Sequence, residues 1–111
     1  MKQINLNICI THCQLDELST EDRELVERAL KATDNAYAEY SHFYVGAALR
    51  LADGNIVIGA NQENAAFPSG LCAERTAIFA AQANYPDQHV TALAIAARND
   101  NGLLEEPVSP C

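Results

Sequence analysis

The chain has 111 residues, of which 7 are Lys or Arg and 15 are Asp or Glu, giving a net charge of −8. That length holds one domain with a modest core, and 49% apolar with 20% charged residues excludes disordered and collagen-like classes. An acidic chain without a basic run is a poor partner for nucleic-acid phosphates or anionic membranes, and no apolar stretch approaches the roughly 18 residues of a membrane span.

Met1 to Cys9 alternates polar and apolar residues and does not read as a signal peptide. Ile4, Leu6, Ile8 and Ile10 share one face of a period-2 segment, predicting an edge strand in an N-terminal extension over 1–18, with Leu15 to Leu18 as the link. Ser19 to Asp22 then supplies a capping hydroxyl and first-turn acids. Leu25, Val26, Ala29, Leu30, Thr33 and Tyr37 recur at helical spacing, predicting a helix over 20–38 with Glu24/Arg28 and Glu27/Lys31 as solvated pairs. Phe43, Val45, Ala47, Leu49 and Leu51 alternate as a strand. Asp53-Gly54 turns it back through Ile56 to Ile58, so 43–60 reads as a hairpin. Asn61 to Leu71 is a loop, Ala73 to Ala83 a helix apolar nearly all round, and Val90 to Ala97 a strand apolar on both faces. Asn99 to Gly102 is a turn.

A helix on either side of a hairpin, followed by a doubly buried strand, predicts an α/β protein with a three-layer α/β/α sandwich and a mixed sheet. Three or four strands with two helices would leave one sheet face thinly covered. Four cysteines (Cys9, Cys13, Cys72, Cys111) without an export signal read as reduced thiols or metal ligands in the cytosol.

The chemistry concentrates in Asn61-Gln62-Glu63-Asn64, Cys72-Ala73-Glu74-Arg75 and Ser109-Pro110-Cys111. Cys72 falls where a loop enters a helix, and the open N–H groups and dipole there favour the metal-binding thiolate. Glu74 lies in the same first turn, where a carboxylate that does not ligate the metal can carry protons. Each residue alone has an ordinary reading as well: Cys72 as a buried thiol, Arg75 as a solvated charge, Asn61, Glu63 and Asn64 as turn formers, Phe43 as core, Cys111 as an incidental terminal thiol. His12, His42 and His89 read as loop or surface residues.

Read as a set, Tyr40-Ser41-His42-Phe43-Tyr44-Val45-Gly46-Ala47-Ala48, Asn61-Gln62-Glu63-Asn64-Ala65-Ala66-Phe67 and Cys72-Ala73-Glu74-Arg75-Thr76-Ala77 closely resemble cytidine deaminase, in its small three-cysteine, tetramer-forming branch. The resemblance runs over 19–111 and leaves 1–18 outside it. It implies Zn²⁺ held by Cys72 and Cys111, with Glu74 shuttling protons while a zinc-activated hydroxide attacks C4 of cytosine to give uridine and ammonia. It also implies that Asn61 and Glu63 hydrogen-bond the ribose hydroxyls and that Phe43 packs on the nucleoside. By the same resemblance the Ala73 backbone meets the pyrimidine carbonyl, Ser109 lends its backbone near the leaving amine, and Ala65 and Phe67 reach a neighbouring subunit's site. Three thiolates on zinc sum to −1, and Arg75, three positions after Cys72, can withdraw part of that charge.

The family closes its ligand set with Pro-Cys-x-x-Cys, opening a further helix. Pro110-Cys111 matches the first half, so the third ligand and the C-terminal part of the fold are missing from the sequence. Three readings stand beside one another: a fragment of a longer enzyme, a shortened inactive relative or binding module, and an enzyme completed by a partner chain. The expected function is deamination of cytidine and deoxycytidine in cytoplasmic pyrimidine salvage by a homotetramer. Its partner is a small nucleoside, neither a nucleic acid polymer nor a membrane. A deaminase of a related aminated heterocycle fits less well with Asn61 and Glu63 both present. The 111-residue polypeptide alone is expected to be marginally stable. A thermal melt well above ~60 °C on a sample of verified intact mass would contradict that.

Overall fold

The computed structural model describes residues 3–5, 7, 9–65 and 70–104. Leu15–Glu17 form a 3-10 turn, and helix α1 (Thr20–Ala32) starts after Ser19, whose Oγ accepts the Asp22 N–H at 3.2 Å. Glu21 and Asp22 place negative charge in the first turn, as the sequence predicts. The helix ends at Ala32 rather than at residue 38. Thr33–Asn35 tighten into a second 3-10 turn, and Thr33 Oγ1 donates back to Leu30 O at 2.6 Å. Tyr37 is then drawn into a bridge with Gln62 that no helix could make. The expected Glu24/Arg28 and Glu27/Lys31 pairs are not closed. Among the described residues, ion pairs instead tie this region to the sheet, Arg50 to Asp22 at 3.1 Å and Arg98 to Asp34 at 3.4 Å.

Strand β1 (Tyr44–Leu51) turns into antiparallel β2 (Ile56–Ala60), the expected hairpin. Gly54 takes the left-handed φ of +93° that the turn demands, and Asp53 Oδ1 accepts the Asn55 N–H at 3.0 Å. Helix α2 (Ala73–Asn84) then carries the chain to β3 (Val90–Asn99), which pairs with the other edge of β1. A two-residue β4 (Gly102–Leu103) folds back on β3. The order is β2-β1-β3-β4, and every pairing between these strands is antiparallel, so the expected mixed sheet is not found among the described residues. Both β2 and β3 run opposite to β1 and are therefore parallel to each other. With β1 lying between them they never pair, which is why α2 can cross over without creating a parallel ladder.

The three layers follow from the period of 2 along β1. Ala47, Leu49 and Leu51 face α2 and pack with Ala73, Ala77 and Ala81. Ala48 faces the other way, with Ala94 and Ala96 of β3 and Leu25 and Ala29 of α1. The α/β/α sandwich is therefore as predicted, with β1 rather than β3 as the strand covered on both sides. Helix α2 lies over β1 and β2, which leaves the same side of β3 bare: Leu93, paired with Leu49, is 42% exposed. The outer face of α2 is open as well, with Phe79 55% exposed, so its nearly continuous apolar character does not mean burial all round.

The predicted edge strand in 1–18 is not formed among the described residues. Ile4 and Ile10 stand 82% and 89% exposed, because alternation without a partner edge gives no ladder. Leu6 and Ile8 lie outside the described residues, as do Ala66, Phe67, Ser109 and Cys111.

Two glycines let the helices approach the sheet. A Cβ on Gly59 of β2 would lie 2.8 Å from Ala73 O and closer still to Ala77 N, both backbone atoms of α2. A Cβ on Gly46 of β1 would lie 2.8 Å from Thr33 N and closer to Ala29 O. Gly59→Ala and Gly46→Ala are each expected to cost about 1–3 kcal/mol by overpacking, read as a lower urea midpoint with an unchanged slope. An unchanged midpoint would mean that the helix yields without strain.

Candidate active site

Two segments converge beneath the first turn of α2. Gln62 and Leu71 exchange both backbone hydrogen bonds, each at 2.8 Å, in an isolated antiparallel bridge. That bridge sets Asn61 and Glu63, at the end of β2, beside Cys72, the residue that caps α2. On the other flank Tyr37 accepts the Glu63 N–H at 2.8 Å and donates its own N–H to Asn61 O at 2.9 Å. Asn61 and Glu63 are thus held through their main chains from both sides.

Cys72 is half-buried with extended dihedrals, and its side chain makes no capping hydrogen bond. It is a free thiol at the N-terminus of α2. Ala73 behind it is fully buried, and Glu74 is 8% exposed, a carboxylate enclosed in the first turn. A thiol unused by the fold beside a buried carboxylate fits part of a zinc donor set. Among the described residues no three His, Cys, Asp or Glu side chains cluster as a metal site. Cys111, the other expected ligand, lies outside the described residues. Arg75 is exposed and makes no ion pair or hydrogen bond among the described residues.

Phe43 is half-buried immediately before β1, and its main chain is fastened at both ends. Its N–H donates to Ser41 Oγ at 3.2 Å, and its carbonyl accepts from Asn61 Nδ2 at 2.9 Å. Asn61 Oδ1 takes the Val45 N–H at 2.9 Å, so this amide ties the start of β1 to the end of β2. One N–H and one lone pair of the amide are left over, enough to meet a ligand hydroxyl. Glu63 receives the Ser41 N–H at 3.1 Å and the Ser41 hydroxyl at 2.5 Å. The structure thus joins Phe43, Asn61 and Glu63 in one hydrogen-bonded group. Ala65 is exposed further along the loop.

Reasoning from the sequence missed three members of this neighbourhood. Ser41 and Tyr37 bind residues more than twenty positions away, for which no local pattern exists. His42 sits between Ser41 and Phe43 at φ 55°, a left-handed conformation that costs a non-glycine residue about 1–2 kcal/mol. It is held by its N–H on Ala38 O at 3.0 Å and by Nδ1 placed 3.0 Å from Asp100 Oδ2. Asp100 also accepts from the Tyr44 hydroxyl at 3.2 Å, and Arg98 lies 4.4 Å over the Tyr44 ring. Desolvation and the Asp100 charge raise the Tyr44 phenol above its ordinary pKa.

This arrangement carries a family signature. Residues 1–107 match the cytidine and deoxycytidylate deaminase zinc-binding region, and the chain belongs to that family. The chain is 44% identical over 91 residues to the cytidine deaminase of Halalkalibacterium halodurans, covering 81% of this chain and 64% of that protein. It is also 44% identical over 88 residues to the cytidine deaminase of Sporosarcina psychrophila, covering 79% and 60%. Less than two thirds of either relative's length is therefore spanned. Among solved structures, the cytidine deaminase of Burkholderia pseudomallei superposes with a TM-score of 0.69 at 42% identity, over 79% of this chain and 66% of that one. That of Mycobacterium tuberculosis gives 0.70 at 32% identity, over 84% and 71%.

The Asn61 amide carries a structural load separable from any ligand. Asn61→Ala leaves the Val45 N–H and the Phe43 carbonyl without their partner, and a loss of about 1–3 kcal/mol is expected in thermal or urea unfolding. Asn61→Asp keeps the acceptor for Val45 but turns a carboxylate oxygen toward the Phe43 carbonyl, so it should lose at least as much. A clearly smaller loss would show that the Val45 bond carries the load alone.

Proposed function

We propose that the protein deaminates cytidine and deoxycytidine by hydrolysis, yielding uridine or deoxyuridine and ammonia in cytoplasmic pyrimidine salvage. The observation that carries this reading is the Gln62–Leu71 bridge, which sets Asn61 and Glu63 beside a helix N-terminus bearing a half-buried thiol and a buried carboxylate. Named relatives of the same family support it. In this reading Cys72, together with Cys111, would hold zinc, which when bound activates water for attack at neutral pH.

The chain's own groups do the rest. Glu74 accepts a proton from the attacking water and passes it to N3 of the pyrimidine as the oxygen bonds to C4. A second proton from the added hydroxyl passes through the same carboxylate to the amine, which leaves as ammonia while the C4 carbonyl forms. Burial of Glu74 keeps bulk water from competing for those protons. Phe43 lies against the nucleoside, Asn61 and Glu63 take the ribose hydroxyls, and the Ala73 backbone meets the ring carbonyl. Ser109 adds its backbone by the departing amine, and Arg75 draws charge from the thiolates. A free nucleoside carries no phosphate, which suits a chain of net charge −8. Ala65 and Phe67 belong to a contact with a neighbouring copy in a homotetramer.

Loss of ultraviolet absorbance on adding cytidine to the whole, zinc-loaded protein tests the reading. Glu74→Gln is expected to lower kcat by roughly 10²–10⁴ while keeping its zinc, and Cys72→Ala to lose zinc and activity together. Bound zinc with no turnover of either nucleoside would instead indicate a binding or structural module.

A further inference from the structure

We propose that Ser41 is a positioning residue that pre-sets the hydroxyl-recognising carboxylate of Glu63, and so governs discrimination for nucleosides bearing ribose hydroxyls. The inference rests on the ribose role given to Glu63 above and adds a residue to which no role has so far been given.

The geometry carries it. The Ser41 N–H reaches both Glu63 oxygens, at 3.1 Å and 3.3 Å, and its Oγ lies 2.5 Å from Oε1. The same Oγ accepts the Phe43 N–H at 3.2 Å. A serine hydroxyl has one proton, and an ionised carboxylate can only accept, so that proton points at Glu63. The carboxylate therefore receives charge-assisted bonds that fix its plane and leave outward lone pairs for a ligand's hydroxyls. A single side chain couples the carboxylate that would read the sugar to the main chain of the aromatic residue that would pack on the base.

The conformation of the neighbouring residue supports the same assignment. His42 is left-handed, and this reversal lets the Ser41 hydroxyl fold back onto the Phe43 N–H two residues on. Strained residues of this kind collect where a site needs a fixed geometry. A serine serving only the turn would not need its hydroxyl aimed at a carboxylate 22 residues away.

Calorimetry on the whole protein tests this with uridine, which is not turned over, and 2′,3′-dideoxyuridine, which lacks both hydroxyls. Ser41→Ala is expected to weaken uridine roughly tenfold or more, leave the dideoxy analogue unchanged, and keep the melting temperature within a few degrees. Ser41→Thr, which retains the hydroxyl, should restore most of the uridine affinity. Equal weakening of both ligands, or no weakening of uridine, overturns the positioning role while the function proposed above stands. If the unaltered protein binds uridine no better than its dideoxy analogue, the ribose role of Glu63 falls, and the proposal falls with it.

Discussion

Backbone-to-backbone approach of α2 onto β2, permitted by the missing side chain of Gly59, is the constraint from which the rest of this molecule follows. Among the described residues the fully buried apolar side chains are alanines apart from Leu25, Leu49 and Leu51. Such a core gains little from bulky side chains. Its cohesion comes from many close contacts between small residues and main chain, each weak and steeply dependent on distance. On this face of the sheet the closest of these lie at Ala73 and Ala77, in the first turns of α2. They fix the level at which Cys72 and Glu74 meet the end of β2, and a longer separation would pull the thiol and the carboxylate away from Asn61 and Glu63.

On the opposite face the same device recurs, Gly46 beneath the C-terminal turn of α1, and this second seat places the end of the helix rather than its start. From there Thr33 to Asn35 redirect the chain so that Tyr37 can join Gln62. The two faces are thus unequal in purpose. One supports the thiol and carboxylate, while the other aims the segment from Tyr37 to Phe43 at the same corner of the sheet. Their meeting point is the edge of β2, and it is dense in side-chain to main-chain hydrogen bonds because two loops and a helix end must all be satisfied there.

Much of this was legible in the sequence wherever a local rule governs. Ser19 caps because of its hydroxyl, Gly54 turns because of its φ, and Cys72 stands before α2 because the apolar helical spacing begins after it. The segment from Asn61 to Glu74 was legible through its family resemblance more than through any periodicity. What escaped was decided at a distance. The end of α1 depends on a bridge to Gln62, the bareness of β3 on where α2 happens to lie, and the exposure of Ile4 and Ile10 on the fact that alternation alone does not bring a segment to a sheet edge. Gly46 and Gly59 were visible as letters, but a glycine's meaning is set by what approaches it.

The Gln62–Leu71 bridge has a bearing on how such a site can vary. By clamping the two ends of the intervening loop together, it separates the length of that loop from the spacing between Asn61, Glu63 and the Cys72 thiol. The spacing on either side of the clamp is then set by main-chain bonds at Gln62 and Leu71. What holds the two segments of this corner in step is therefore a pair of amide bonds, and the Gln62 side chain braces the same point by donating to Asn35 O at 3.2 Å and Ala60 O at 3.4 Å.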